Sequence, residues 1–188
     1  MRYGVMVHAA GPSGRRYAPS PSAHVRARYN HPMNAVDVVI EIPRGSRNKY
    51  EIDEASGAIR LDRVLYSSVH YPTDYGFIPN TRAPDGDHLD VLVIVEEPTF
   101  PGCRLQARPV GVLRMHDEKG EDYKIIAVPV ADPRFEGVNN LTDLHPHWLR
   151  EIENFFTVYK TLEPEKLVTI AGWGGRQEAW DAIEACRD

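Results

Sequence analysis

Six carboxylates drawn from three separate segments are the residues of this 188-residue chain best suited to chemistry: Glu41, then Asp85, Asp87 and Asp90, then Asp117 and Asp122. The middle trio lies in D-G-D-H-L-D, which opens straight into the apolar run Val91 to Val95. Acids crowded at the mouth of a buried strand repel one another unless a cation lies between them. An oxygen-only donor set with no Cys/His cluster beside it suits hard divalent cations, Mg²⁺ or Mn²⁺ ahead of Zn²⁺. Basic and phenolic residues recur beside the same segments, namely Lys49, Arg63, Tyr75, Lys124 and the adjacent Tyr159 and Lys160. Metal-binding acids with converging Lys, Arg and Tyr fit phosphoryl chemistry, in which cations neutralise the transferring oxygens.

Read singly, D-G and E-K-G-E-D are surface turns whose acids are solvated. The trio, together with Asp117 and Asp122 placed to face each other across a hairpin, argues instead for bound metal. Two other metal motifs fail. An EF-hand loop begun at Asp85 would put Asp90 at the sixth position, where Gly is needed, and Leu89 at the fifth. A dinuclear zinc hydrolase would want His ligands near these acids, and His70, His88, His116, His145 and His147 have no such spacing; they read as surface or core residues.

Composition narrows the function further. The chain has 42% apolar and 26% charged residues, which is ordinary for one globular domain of this length. It has no apolar run near the roughly 20 residues that a transmembrane helix needs, so no membrane role is expected. Only Cys103 and Cys186 occur, without a C-x-x-C pair, and a reducing, cytoplasmic compartment is the default expectation. The net charge of -5 conceals an asymmetry: residues 1–32 hold five Arg and no acid, leaving 17 Lys and Arg against 27 acids in the rest. A domain of that charge repels a nucleic-acid backbone, so no nucleic-acid partner is expected. A non-enzymatic OB-fold module for single strands would need a basic, aromatic groove where these acids stand. A metal phosphohydrolase acting on nucleotides or polyphosphate is the nearer rival, and no base or ribose pocket is legible.

The elements that must position these groups follow from periodicity. Residues 1–32, Pro-rich with no apolar period, read as a disordered or artefactual extension in preference to the targeting signal that an Arg-rich, acid-free leader could be, and 33–188 as a single catalytic domain. Val36 to Pro43 alternates, predicting a strand with Val38, Ile40 and Ile42 on one face and Glu41 on the other. Lys49 to Asp53 and Ile59 to Leu65 flank E-A-S-G, a hairpin with Gly57 at positive φ and with Lys49 and Glu51 on one face. Tyr71 to Pro79 is a short strand or loop, Asp90 to Glu97 a strand, and Leu105 to Met115 with Tyr123 to Val130 a hairpin. Trp148 to Leu162 repeats at helical spacing behind Pro146, with Tyr159 on the apolar face. Leu167 to Trp173 is a further strand, and Glu178 to Cys186 a short helix. Several strands with one substantial helix predict an α+β, mainly β domain: a small barrel carrying helices.

The motifs V-V-I-E-I-P, K-Y-E-I-D, L-D-R-V, Y-P-T-D-Y-G-F-I-P, D-G-D-x-x-D-V-L-V, R-P-V-G-V-L-R-M-x-D-E-x-G-E-D-x-K and F-F-x-x-Y-K occur in unbroken order from Val36 onward. In this the chain resembles the soluble family I inorganic pyrophosphatases of bacterial type. The resemblance implies an OB-like five-stranded β-barrel with flanking helices, Mg²⁺-dependent hydrolysis of pyrophosphate to two orthophosphates, and a homo-oligomer, with a hexamer favoured. Carried over by motif, Asp85, Asp90 and Asp122 are implied as ligands of a tight metal site, Asp117 and Asp122 as holders of a further metal, and Glu41 as an acid reaching metal through water. The same resemblance implies a hydroxide bridging two metals as nucleophile, with Asp87 as its general base and Glu51 lining the cavity. Lys49, Arg63, Tyr75, Lys124, Tyr159 and Lys160 are implied as the phosphate-binding set. Position 88 departs from the family pattern, carrying His where Pro is usual; it reads first as a tolerated exposed side chain, and otherwise as one that loosens the loop and shifts the pH profile or metal preference.

Overall fold

The computed structural model describes residues 34–188 apart from 54, 119 and 165–167; the expectation for residues 1–32 lies outside them. In chain order the elements are β1 (Val36–Ile42), β2 (Asn48–Ile52), β3 (Ile59–Val64), β4 (Asp74–Ile78), β5 (Leu89–Val93), β6 (Arg104–Asp117), β7 (Gly120–Pro129), α1 (Pro146–Val158), β8 (Thr169–Gly174) and α2 (Arg176–Ala185). Strands β1-β4-β5-β7-β6 are neighbours in that order, and a β1–β6 pairing closes them into a ring. β8 adds to β6, while β2 and β3 form a separate hairpin turned at Gly57, with φ 68°. This is the mainly β, OB-like barrel with flanking helices that the sequence predicts.

Period-2 alternation divides the apolar residues between the two faces of the ring. Ile40, Gly76, Val91, Ile125 and Val112 stand in register from strand to strand. Four of them share one apolar cluster with Val38, Val93 and Ala127, and Ala179 and Ile183 of α2 join it. The fifth position must be Gly, because a Cβ on Gly76 would stand 1.9 Å from the Val39 carbonyl oxygen. The opposite face presents Tyr75, Leu92, Leu113, Met115 and Ile126 to α1, which covers them with Ile152, Phe155, Phe156 and Tyr159. Those helix residues recur at i, i+3, i+4 and i+7, so one stripe of α1 is buried. Pro146 occupies the first turn, where its missing N–H costs nothing. Phe156 is 1% exposed, and truncation to Ala at such a site costs about 3–5 kcal/mol.

Two sequence expectations about register are corrected. β6 and β7 extend further into their turn than the apolar pattern does, so Asp117 pairs with Gly120 and Asp122 with Met115. Asp117 and Asp122 are diagonal neighbours on one face rather than directly opposed. In β1, the pairing with β4 slips between Ile40 and Ile42, so Ile42 joins the α1-side cluster while Val38 and Ile40 stay with the α2-side one. The extra residue in that bulge is Glu41, and a bulge re-aims the side chain it carries.

Candidate active site

A cavity of about 430 Å³ opens on the α1 side of the barrel, lined by nine carboxylates and four cationic side chains. Every residue singled out in the sequence borders it. β1 supplies Glu41 from the bulge, β2 supplies Lys49 and Glu51, β3 supplies Arg63 and β4 supplies Tyr75. Asp85 and Asp87 come from the loop after β4, and Asp90 from β5. Asp117 lies at the end of β6, Asp122 and Lys124 on β7, and Tyr159 and Lys160 at the end of α1.

The centre of the site is fixed by main-chain register. Asp90 and Lys124 are direct partners in the parallel β5–β7 pair, and Asp122 lies two residues back on the same face of β7. The Lys124 ammonium contacts Asp90 and stands 2.6 Å from Asp122 Oδ1, with only 4% of the residue exposed. Burial opposes its charge, but Asp90 and Asp122 outweigh that and hold its pKa above the usual lysine value. Burial likewise pushes Asp122 upward; Asp90 and Asp117 add to the rise and Lys124 opposes it. Tyr75 and Tyr159 are raised by burial first and by the neighbouring acids second, so both phenols keep their protons and remain donors.

Around this centre the remaining groups hold one another. Glu41 accepts a hydrogen bond from the Ile52 N–H at 2.9 Å, yet burial, then Asp90 and Glu51 against Lys49, pushes its pKa up to about 7. Lys49 contacts Glu51 and stands 3.3 Å from Asp62, which is also 2.7 Å from Arg63 Nη1. Lys160 reaches Asp117 at 3.2 Å and Glu118 at 3.5 Å. Among the described residues, no three Asp, Glu, His or Cys side chains stand close enough together to hold a metal ion at the positions they take here; their acids are drawn to Lys49, Lys124 and Lys160 instead.

The loop bearing Asp85 and Asp87 is shaped by its own hydrogen bonds. Asp85 Oδ1 accepts from the Asp87 N–H at 3.1 Å, Gly86 takes φ 92°, and Arg82 donates to the Gly86 carbonyl at 2.9 Å. Both acids are exposed. His88 is held in this loop by two contacts of its own. Its ring stacks on Phe77 at 4.7 Å between centroids, and Nδ1–H donates to the Thr81 carbonyl at 2.7 Å. Thr81, 1% exposed, receives the Leu89 N–H on its hydroxyl at 2.9 Å and so joins the loop to the start of β5.

Asp62, Tyr71, Phe77, His88 and Glu118 also line the cavity and were not assigned to it from sequence. Asp62 and Glu118 lay inside recognised motifs, beside Arg63 and Asp117. Asp62 is the extra residue where the β2–β3 pairing slips between Lys49 and Tyr50, and such a bulge re-aims its side chain without a signature in the sequence. Tyr71 and Phe77 looked like packing residues, and His88 like a side chain of surface or core.

The sequence model of the inorganic pyrophosphatase family matches residues 38–188. An inorganic pyrophosphatase of Leifsonia xyli is 55% identical over 153 residues, which are 81% of this chain and 94% of that protein. One of Streptomyces coelicolor is 55% identical over 79% of this chain and 91% of its own length. The crystal structure of the inorganic pyrophosphatase from Thermus thermophilus superposes with a TM-score of 0.80 at 46% identity, covering 84% of this chain and 91% of that one.

Proposed function

The chain belongs to the inorganic pyrophosphatase family, and from that premise we propose that residues 33–188 form a catalytic domain hydrolysing inorganic pyrophosphate to two orthophosphates with Mg²⁺ as cofactor, Mn²⁺ and other divalent cations serving as substitutes. The observation that carries this reading is the lining of the cavity, nine carboxylates against four cations. A pyrophosphate anion brought among those acids is repelled unless dications accompany it. The donors are all oxygen, and burial and mutual repulsion already raise Glu41 and Asp122, so the residues fit a hard divalent ion.

Asp85, Asp90 and Asp122 would hold one cation, Asp117 and Asp122 another, with Glu41 reaching metal through water. When bound, the cations neutralise phosphoryl charge and make water acidic enough to attack at neutral pH. Asp87 takes the proton of the attacking water as general base; it is exposed, so it can pass that proton to solvent. Lys49, Arg63, Lys124 and Lys160 orient the two phosphoryl groups, and the protonated Tyr75 and Tyr159 donate hydrogen bonds to their oxygens. Glu51 lines the cavity and holds Lys49 in place.

The reading extends to assembly and location. A homo-oligomer, with a hexamer favoured, is supported by the family and by exposed apolar surface at Ile59, Leu61, Tyr66 and Phe100; light scattering after size exclusion tests it. A cytoplasmic site is supported by two unpaired cysteines, and no helix among the described residues is long and apolar enough to cross a membrane. The decisive assay for the reaction is phosphate release from pyrophosphate with and without excess Mg²⁺, with ATP and a phosphomonoester in parallel. Release that needs Mg²⁺ and is confined to pyrophosphate is expected. No release with any divalent metal overturns the assignment.

A further inference from the structure

Arg63, like Lys49, reaches the cavity from the two-stranded hairpin outside the ring, and it is the one of the two tied to the end of α1. Its guanidinium is held from two sides. Nη1 meets Asp62 at 2.7 Å, and Nε donates to Glu163 Oε1 at 3.2 Å across a sequence separation of 100 residues. The Glu163 side chain is 7% exposed and borders no part of the cavity. Its backbone N–H donates to the Lys160 carbonyl at 2.9 Å, so it sits in the turn that carries Tyr159 and Lys160 out of α1. Nη2 has no hydrogen-bond partner among the described residues. A guanidinium gripped at two nitrogens is aimed, and the third is left to donate.

We propose that Glu163 is a positioning residue: it ties Arg63 to the end of α1, so that the hairpin and the helix present their phosphate-binding groups to one substrate at a fixed separation. This rests on the pyrophosphatase reading. The tie is built by a carboxylate that never touches substrate. Removing it frees the Arg63 side chain to swing with the hairpin, and the entropy of re-ordering it falls on the binding step.

The test compares wild type with Glu163→Ala, Glu163→Gln, Arg63→Ala and the double variant Arg63→Ala with Glu163→Ala. In pyrophosphate hydrolysis at saturating Mg²⁺, Glu163→Ala is expected to raise KM by about tenfold with kcat within about twofold, the pattern of lost binding rather than lost chemistry. Glu163→Gln keeps an acceptor of the same reach and is expected to recover most of the loss. The double variant is expected to be no worse than Arg63→Ala, because coupled groups are not additive. Additive losses, or an unchanged KM in both Glu163 variants, overturn the proposal. A second arm uses the metal-free protein: the Arg63 Nε–H resonance is expected to lose its protection from exchange in Glu163→Ala. Unchanged protection overturns the pairing even if wild type releases no phosphate, so failure of the reaction and failure of the tie are told apart.

Discussion

Asp90, Asp122 and Lys124 owe their positions to strand register, whereas Asp85 and Asp87 owe theirs to hydrogen bonds within one exposed loop, and Lys49 and Arg63 to ion pairs on a hairpin outside the barrel. In the first group Lys124 is buried, Asp90 and Asp122 are half-buried, and the charges are compensated by one another. In the second, Asp85 and Asp87 are exposed and Lys49 and Arg63 half-buried, held by side chains that other groups can replace. The contrast separates two tasks. A rigid wall keeps opposite charges pre-arranged at no cost in reorganisation, and, on the proposed reaction, the adjustable arms take up substrate and exchange protons with water.

The largest expected break in this contrast comes from the arm. Asp87→Asn removes the proposed base and is expected to lower kcat by about 10²–10⁴-fold while the melting temperature stays unchanged. Near-normal turnover would take Asp87 out of that role. In the wall, Lys124→Met leaves Asp90 and Asp122 facing each other across a buried gap. Unpairing buried charges costs about 3–5 kcal/mol, read as a urea midpoint in the absence of metal, and Mg²⁺ is expected to restore part of it. A midpoint equal to wild type would show that the wall is not held by its own charges.

Glu41 lies between the two regions and gives a pH test. Its folded-state pKa, about 7, lies above its ordinary 4.5, so between these values the folded state binds more protons than the unfolded one. Stability of the metal-free protein therefore falls as pH rises from 4.5 to 7 and is level beyond, an upper bound of about 3 kcal/mol for a half-buried group. Glu41→Gln is expected to be more stable than wild type at pH 8 and equal to it at pH 4. Parallel stability curves for the two proteins would remove burial as the governing influence on Glu41. The smallest effect is expected from His88→Ala, which deletes the stack on Phe77 and the bond to Thr81 at about 1 kcal/mol, seen as a melting shift of a few degrees. An identical melt would mean that the ring braces nothing.

The wall was legible in the sequence because strands announce themselves: alternation in V-D-V-V-I-E-I fixed β1, and the apolar run after Asp90 fixed β5. Gly57 and Pro146 marked a turn and a helix start through backbone restrictions that hold in any context. Register was harder. The polar ends of β6 and β7 pair as strand although their composition reads as loop, which displaced Asp122 from Asp117, and the bulge at Glu41 has no local signature. Contacts across long separations, such as Arg63 with Glu163, are set by the closed fold, and nothing in either neighbourhood specifies the partner.

The pairing of β5 with β7 is parallel, while the other pairings of the described strands are antiparallel. Parallel neighbours cannot be joined by a tight turn, and the whole of β6 lies between these two. Asp90 and Lys124, 34 residues apart, therefore meet only by closing a long loop that contains β6. The loop-closure entropy of that step is lost before the contact returns anything. A chain emerging from the ribosome as far as β5 already carries Glu41, Asp85, Asp87 and Asp90, with Lys49 and Arg63 but neither Lys124 nor Lys160 to set among them. These acids outnumber those cations, and the lysine that pairs Asp90 with Asp122 arrives only with β7.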